Sequence, residues 1–344
     1  MKNICKIIVA SFFFLLFFGE KVNAQDPHFS QFYHAPMHLN PGLTGLIQGD
    51  IRAVANYRSQ WGTIATPFTT MSASVDMAIL NGLTEKDIFG GGLLLLNDVA
   101  GEAKLRNTYV GGSLAYHKSM NGKRNHFVGL GAQYMMVQQS VDFTRMIFES
   151  QFNGEFFDPS QASGENFTNG TITYFDFSAG LSWGYRQDRF NSYYAGVAVS
   201  HINQPRVSIF DNDQEWLFRK YTIYAGGTFK VSRNVSLIPR GIYLVQGSSS
   251  QLNVGAMVKF NVGNNRGAND KTAISFGTMH RWKDAQVIIM RYDYERMGFS
   301  FSYDVNISKL NIPTKGRGAV ELAFIYTGFV YDMNNHDKII CPKF

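Results

Sequence analysis

The sequence predicts an all-β protein: a transmembrane antiparallel β-barrel of about 14 strands with a short N-terminal periplasmic aromatic helix or plug. Three observations carry this. From Asp50 onward apolar and polar residues alternate repeatedly, and no long segment has a helical period. The alternating runs last about ten to thirteen residues, against roughly five or six for soluble strands and about nine to eleven for a tilted membrane-spanning strand. One face of each run is rich in Gly, Ser, Thr and Asn and the other in aliphatic and aromatic residues. That division suits an aqueous interior and a lipid-facing exterior bounded by aromatic girdles, and it argues against a soluble β-sandwich.

The first element is an export address. Lys2 and Lys6 precede an apolar run from Ile7 to Phe18, interrupted by Ser11, and Val22-Asn23-Ala24 supplies small residues at the cleavage spacing. The run is too short to span a bilayer comfortably. Its removal takes away Lys2, Lys6, Lys21 and Glu20, lowering the formal charge of +6 by two. Of the two cysteines only Cys341 remains, so no intramolecular disulfide can brace the exported chain. No basic cluster points to nucleic acid, which is not expected as a partner.

Strands are expected over Asp50–Ser59, Thr69–Ile79, Phe89–Asp98, Lys104–Lys118, His126–Gln138, Ile172–Arg186, Ser192–Asn203, Lys220–Val231, Val235–Val245, Ser250–Val262, Lys271–Arg281, Ala285–Tyr294, Met297–Ser308 and Gly318–Val330. The clearest is "RMGFSFSYDVNIS", which sets Phe299, Phe301, Tyr303 and Val305 against Ser300, Ser302, Asp304 and Asn306. An even count permits closure, which removes strand edges that lipid could not satisfy. With the amino terminus in the periplasm, the long connections Gln139–Gly170 and Gln204–Arg219 face outward and short links such as "QDRFN" face inward. Pro239 interrupts one strand, where a bulge is expected. The chain thus divides into a signal peptide (1–24), a periplasmic motif segment (25–49), an outer-membrane barrel (50–330) and a periplasmic tail (331–344).

Chemistry is sparse. "FGGGLLLL" has no following Lys-Ser/Thr and opens no helix, so it is not a phosphate loop; its glycines permit close strand contact or curvature. "GFSFS" lies within a strand and makes no nucleophile elbow. His117, His126, His201 and His280 fall on different strands, and His28, His34 and His38 have no acidic or cysteine partner at ligand spacing. No catalytic residue, metal or cofactor is expected. Arg291 and Asp293 share one face, as do Asp304 and Asn306, and would form a polar lumenal network if that face points inward.

The stretch "QDPHFSQFYHAPMHLNPGLTG", Gln25 to Gly45, is the most distinctive in the chain. Asp26 suits a helix N-cap and Pro27 its first position. Phe29, Phe32 and Tyr33 then share a face, Pro36 ends the turn, and Asn40-Pro41-Gly42 directs the chain to the first strand. So short a helix does not persist alone in water, so its aromatic face must dock, in the barrel mouth as a plug or on a partner. Phe29, Gln31, Phe32, Tyr33, Pro36, Asn40 and Pro41 are the candidate plug or partner-binding residues.

This stretch resembles the amino-terminal signature of the PorP/SprF family, outer-membrane proteins of the type IX secretion system. The matched positions are Gln25, Asp26, Pro27, Phe29, Ser30, Gln31, Phe32, Tyr33, Pro36, Leu39, Asn40, Pro41 and Gly45, and the closing "CPKF" (Cys341 to Phe344) is similar to a tail found on many members. Gly42 departs from the small non-glycine residue common there. The resemblance implies a non-enzymatic barrel of the export and gliding machinery. It would assist secretion or surface attachment of a large adhesin with a carboxy-terminal sorting domain. Periplasmic components of the apparatus and outer-membrane lipid would be its partners. The alternative is a passive porin-like channel.

Overall fold

A computed structural model describes residues 26–329 apart from 63–65, 82–86, 122–124, 159, 165–169, 189, 209–214, 263–271 and 310. The expected signal peptide and the tail with Cys341 therefore lie outside the described residues. Alternation becomes fourteen strands: β1 (Ile51–Gln60), β2 (Phe68–Asn81), β3 (Ile88–Ala100), β4 (Leu105–Ser119), β5 (His126–Ser140), β6 (Thr171–Arg186), β7 (Ser192–Ser200), β8 (Lys220–Lys230), β9 (Val235–Gln246), β10 (Ser249–Asn261), β11 (Thr272–Arg281), β12 (Ala285–Tyr294), β13 (Met297–Asn306) and β14 (Arg317–Gly328). Each pairs antiparallel with its sequence neighbours, and β1 pairs with β14 from Ile51↔Gly328 to Gln60↔Ala319, closing the barrel. Closure leaves no strand of the fourteen as an open sheet edge, which a lipid environment demands of a spanning sheet.

The two faces follow the side-chain period of two. On β13, Phe299 and Phe301 are about half exposed while Ser300, Ser302 and Asp304 are buried. β6 repeats this, with Phe175, Phe177, Leu181 and Trp183 outside and Asp176, Ser178 and Ser182 inside. The run "LLLL" shows that position, not composition, decides the face: Leu93 and Leu95 are 70% and 53% exposed, Leu94 and Leu96 only 3%. Outward side chains also stack across strands, as Tyr134 does on Phe175 with centroids 5.5 Å apart.

The wall departs from expectation at two places. Pro239 makes no bulge: β9 keeps one register with β10 through Pro239↔Ala256. On the other side, pairing with β8 lapses between Gly226↔Arg240 and Phe229↔Leu237 and resumes in the same register. A missing N–H costs one ladder bond there, and the adjacent strand passes it without shifting. The register shifts that do occur lie between Ala78 and Leu80 on β2 and between Tyr303 and Val305 on β13. β7 also stops at Ser200, because His201 turns into a left-handed conformation at φ 58°.

The interior is not the watery lumen that the polar faces suggest. Phe127, Tyr194, Tyr224, Ile238, Ile242, Met257, Met279, Val287 and Ile289 point inward and form one apolar cluster with Phe32, Tyr33, Leu39, Leu43 and Leu46 of the N-terminal segment. A barrel of this circumference leaves room that wall side chains alone do not fill. Here the chain's own beginning fills it.

Candidate functional site

The site is the segment from Asp26 to Asp50 and the lumen wall that holds it. A periplasmic-mouth position is the expectation from sequence; instead the segment runs the length of the lumen. Its start meets the strand ends that carry the long loops, and its end meets those carrying the short turns. Inward-facing partners at every depth account for this path.

At the loop end, Asp26 accepts hydrogen bonds from His201 Nε2 and Lys220 Nζ, both at 2.6 Å, and from Gln246 Nε2 at 3.1 Å. Its backbone N–H donates to Gln246 Oε1 at 3.0 Å. Asp26 therefore does not cap a helix. Burial would raise its pKa, but Lys220 and His201 outweigh that and hold the carboxyl well below the usual range. Burial opposes protonation of His201, yet Asp26 and Asp176, the latter 3.0 Å from Nδ1, push its pKa up to about 9. A charged latch thus holds Asp26 at the loop end.

One level deeper lies a four-charge cluster. The backbone N–H groups of Ser30 and Gln31 donate to the two oxygens of Glu321, each at 2.9 Å. Ser30 Oγ donates to Asp304 at 2.8 Å and accepts from Arg58 at 2.7 Å and Arg281 at 2.9 Å, using its donor and both acceptor positions. Arg58 bridges Glu321 (3.0 Å) and Asp304 (2.9 Å), and Arg281 reaches Asp304 at 2.9 Å. All four charged groups are buried, and burial on this scale is tolerable only because each is paired. Gln31 donates to Ser302 Oγ at 3.1 Å and accepts from Ser300 Oγ.

The aromatic residues come next, and they do not share one helical face. Phe32–His34 is a single 3-10 turn, and Pro36 begins the four-residue helix Pro36–Leu39 that follows. Proline suits the first helical position, where no N–H is needed, so Pro36 starts a turn as well as ending one. Phe29 packs on Ala35 and Leu96. Phe32 meets Tyr33 edge-on at 5.5 Å, and the Arg240 guanidinium lies 3.7 Å from the Tyr33 ring centroid, a cation–π contact. His34 Nε2 lies 2.6 Å from Arg291 Nη1.

Nearer the turn end, close backbone fit joins the side-chain contacts. Asn40 donates to the carbonyls of Leu181 (2.9 Å) and Val197 (3.3 Å) and to the Tyr224 hydroxyl (3.0 Å), and its Oδ1 accepts from Gly42 N–H at 2.7 Å. This caps the 3-10 turn Pro41–Leu43. A Cβ on Gly90 would stand 2.2 Å from the Thr44 carbonyl oxygen, and one on Gly131 would stand 2.3 Å from that of Pro41. Only glycine lets wall and segment approach so closely. Glycine-rich β3 thus makes room for the segment, beyond the strand contact expected of it. Thr44 is held by Ser113 (2.7 Å) and His117 (2.8 Å), and Gly45 N–H donates to Asp76 at 2.8 Å, itself bonded to Arg52 at 2.7 Å.

All seven residues singled out from sequence—Phe29, Gln31, Phe32, Tyr33, Pro36, Asn40 and Pro41—are buried in the lumen. Missed were Asp26 as a latch, Ser30 as the centre of a charge cluster, and the inward charges Arg52, Arg58, Asp76, Arg281 and Glu321. Their signal was their place on the polar side of the alternation. Arg291 and Asp293 do meet, at 2.8 Å, and Asp304 and Asn306 do face inward. Among the described residues no cluster of three metal-ligating side chains occurs.

A closed barrel of antiparallel strands with an apolar outer face and a charge-lined interior is an outer-membrane β-barrel. The sequence model of the type IX secretion system membrane proteins PorP/SprF matches residues 21–326, spanning the lumenal segment and nearly the whole barrel. The chain belongs to that family, and its place is the outer membrane. No curated protein matches it significantly. Among solved structures it is similar to the CymD monoaromatic hydrocarbon channel (10% identity, TM-score 0.48, covering 87% of this chain and 94% of that one). It is also similar to the toluene transporter TodX of Pseudomonas putida (8%, 0.47, 85% and 92%) and to BamA of Haemophilus ducreyi lacking POTRA domains 1–3 (10%, 0.41, 80% and 70%).

Proposed function

We infer that this protein is a plugged, non-enzymatic barrel that assists type IX secretion or surface attachment of a large adhesin-like cargo with a carboxy-terminal sorting domain. Periplasmic components of the machinery would work with it. Family membership supports the secretion role, and the observation that carries the reading is the filled lumen. A passive pore needs a continuous aqueous path, whereas here buried aromatics, paired charges and close glycine contacts hold a segment of the same chain along the interior. The long loops, including the turns at Phe143–Arg145 and Glu149–Gln151, offer a cargo-facing surface outside the membrane. The candidate motif acts as the plug.

The test is genetic. Deleting the gene should strip the partner adhesin from the cell surface while uptake of small solutes stays unchanged. Normal adhesin display in a strain with no compensating paralogue would overturn the secretion reading, and lost solute uptake would favour a porin-like channel.

A further inference from the structure

At the turn end of the barrel a cavity of about 90 Å³ opens beside the end of the lumenal segment. One water needs roughly 10–15 Å³, so the cavity has room for a small polar group with its hydration. Its wall is strongly one-signed. Arg186, Arg240, Lys259 and Arg291 line it, and Asp293 is the single carboxylate among the lining residues. The hydroxyls of Ser192, Thr228, Ser236 and Ser275 complete a lining rich in donors.

Arg186 donates to the Asp188 carbonyl at 3.0 Å and lies near its carboxylate, while the other three cations have one lining carboxylate among them. Asp293 is shared, accepting from Arg291 at 2.8 Å and from Lys259 at 3.4 Å. Arg240 is 7% exposed and its Nε has no hydrogen-bond partner. Its other neighbours include the Tyr33 ring, the Tyr194 hydroxyl and, at 4.0 Å, the Met257 sulfur, none of them a carboxylate. An unpaired guanidinium N–H in so enclosed a place is costly unless something accepts from it.

We propose that this cavity is a binding site for a carboxylate carried on a peptide segment that enters from the periplasmic end. Asp293 is the resident counter-ion of Arg291 and Lys259, and the Arg240 Nε–H beside them is the donor left for a guest carboxylate. The presence of that resident charge disfavours a dianionic phosphate, which would meet it across the cavity. The turn end faces the periplasm by the asymmetry of loop lengths, so the segment belongs to a periplasmic protein with acidic side chains. Because Arg240 and Arg291 also touch Tyr33 and His34, the occupant sits in contact with side chains that hold the plug. This inference does not depend on the identity of the exported cargo.

The test uses the refolded mature barrel in detergent at low salt, with tetraglutamate as probe and tetraglutamine as control. Tetraglutamate should bind, tetraglutamine should not, and K259Q and R240Q should each weaken binding at least tenfold. Lys259 makes one long contact, with Asp293, so K259Q retains a heat-modifiable folded barrel even if R240Q disturbs packing around Tyr33. Equal affinity of K259Q and the parent for tetraglutamate would overturn the proposal, as would equal binding of the two peptides. Binding of inorganic phosphate without binding of tetraglutamate would also overturn it, assigning the cavity to a free anion.

Discussion

The two ends of the lumenal segment are held by different physics. Toward the loops, Asp26, Ser30 and Gln31 are gripped by side-chain charges reaching in from β1, β8, β11, β13 and β14. Toward the turns, Asn40 to Gly45 lies so close to the wall that glycines replace side chains at the contact. The first grip can be loosened group by group and responds to pH. The second is chiefly steric, backed by the Asn40 hydrogen bonds and the buried Arg52–Asp76 pair at Gly45. The segment is therefore anchored at the end that leads into β1 and fastened electrostatically at the end that reaches the long loops.

The largest effect expected from this comparison comes from the steric end. Gly90→Val places a branched side chain where Thr44 and Gly45 now lie, so the segment is expelled or the barrel does not assemble; loss of the heat-modifiable band, or a newly open current, reports it. A silent, fully folded G90V barrel would break the comparison. Next is Asp304→Ala, which leaves Arg58 and Arg281 buried beside an absent carboxylate and should cost about 3–5 kcal/mol in denaturant unfolding. A loss below about 1 kcal/mol would mean water reaches the cluster.

Asn40→Ala removes donors to Leu181, Val197 and Tyr224 and the cap on Gly42, with an expected cost of about 1–3 kcal/mol by the same assay. The smallest effect belongs to the latch. His201 binds its proton more tightly folded than unfolded, so its contribution is complete below the ordinary histidine pKa and is lost as pH rises through about 9. Asp26 has the opposite sign: its contribution is present above the ordinary carboxylate range and is lost as pH falls below it. Melting of the parent barrel should therefore drop between pH 7 and 10, and H201Q should flatten that slope while leaving the glycine end intact.

The wall was legible because membrane strands must alternate: β13 and β6 display their outer and inner faces in the order of their letters. The filling was less legible, although signs of it were present. "LLLL" on β3 and "VIIM" on β12 are apolar on both faces, which a water-filled lumen would not favour, and their inward members Leu94, Leu96, Val287 and Ile289 cover the segment or its cluster. The charge cluster around Ser30 joins residues up to 291 positions apart, so no local spacing could announce it. Pro36 has two readings in sequence, as the end of one turn and the start of the next, and the chain uses both.

Conductance in planar bilayers tests the filled lumen most directly, comparing the intact mature barrel with a form lacking residues 26–47. The account predicts a silent intact barrel and a large steady current from the shortened one. A porin-like current through the intact barrel, unchanged by the deletion, would contradict it.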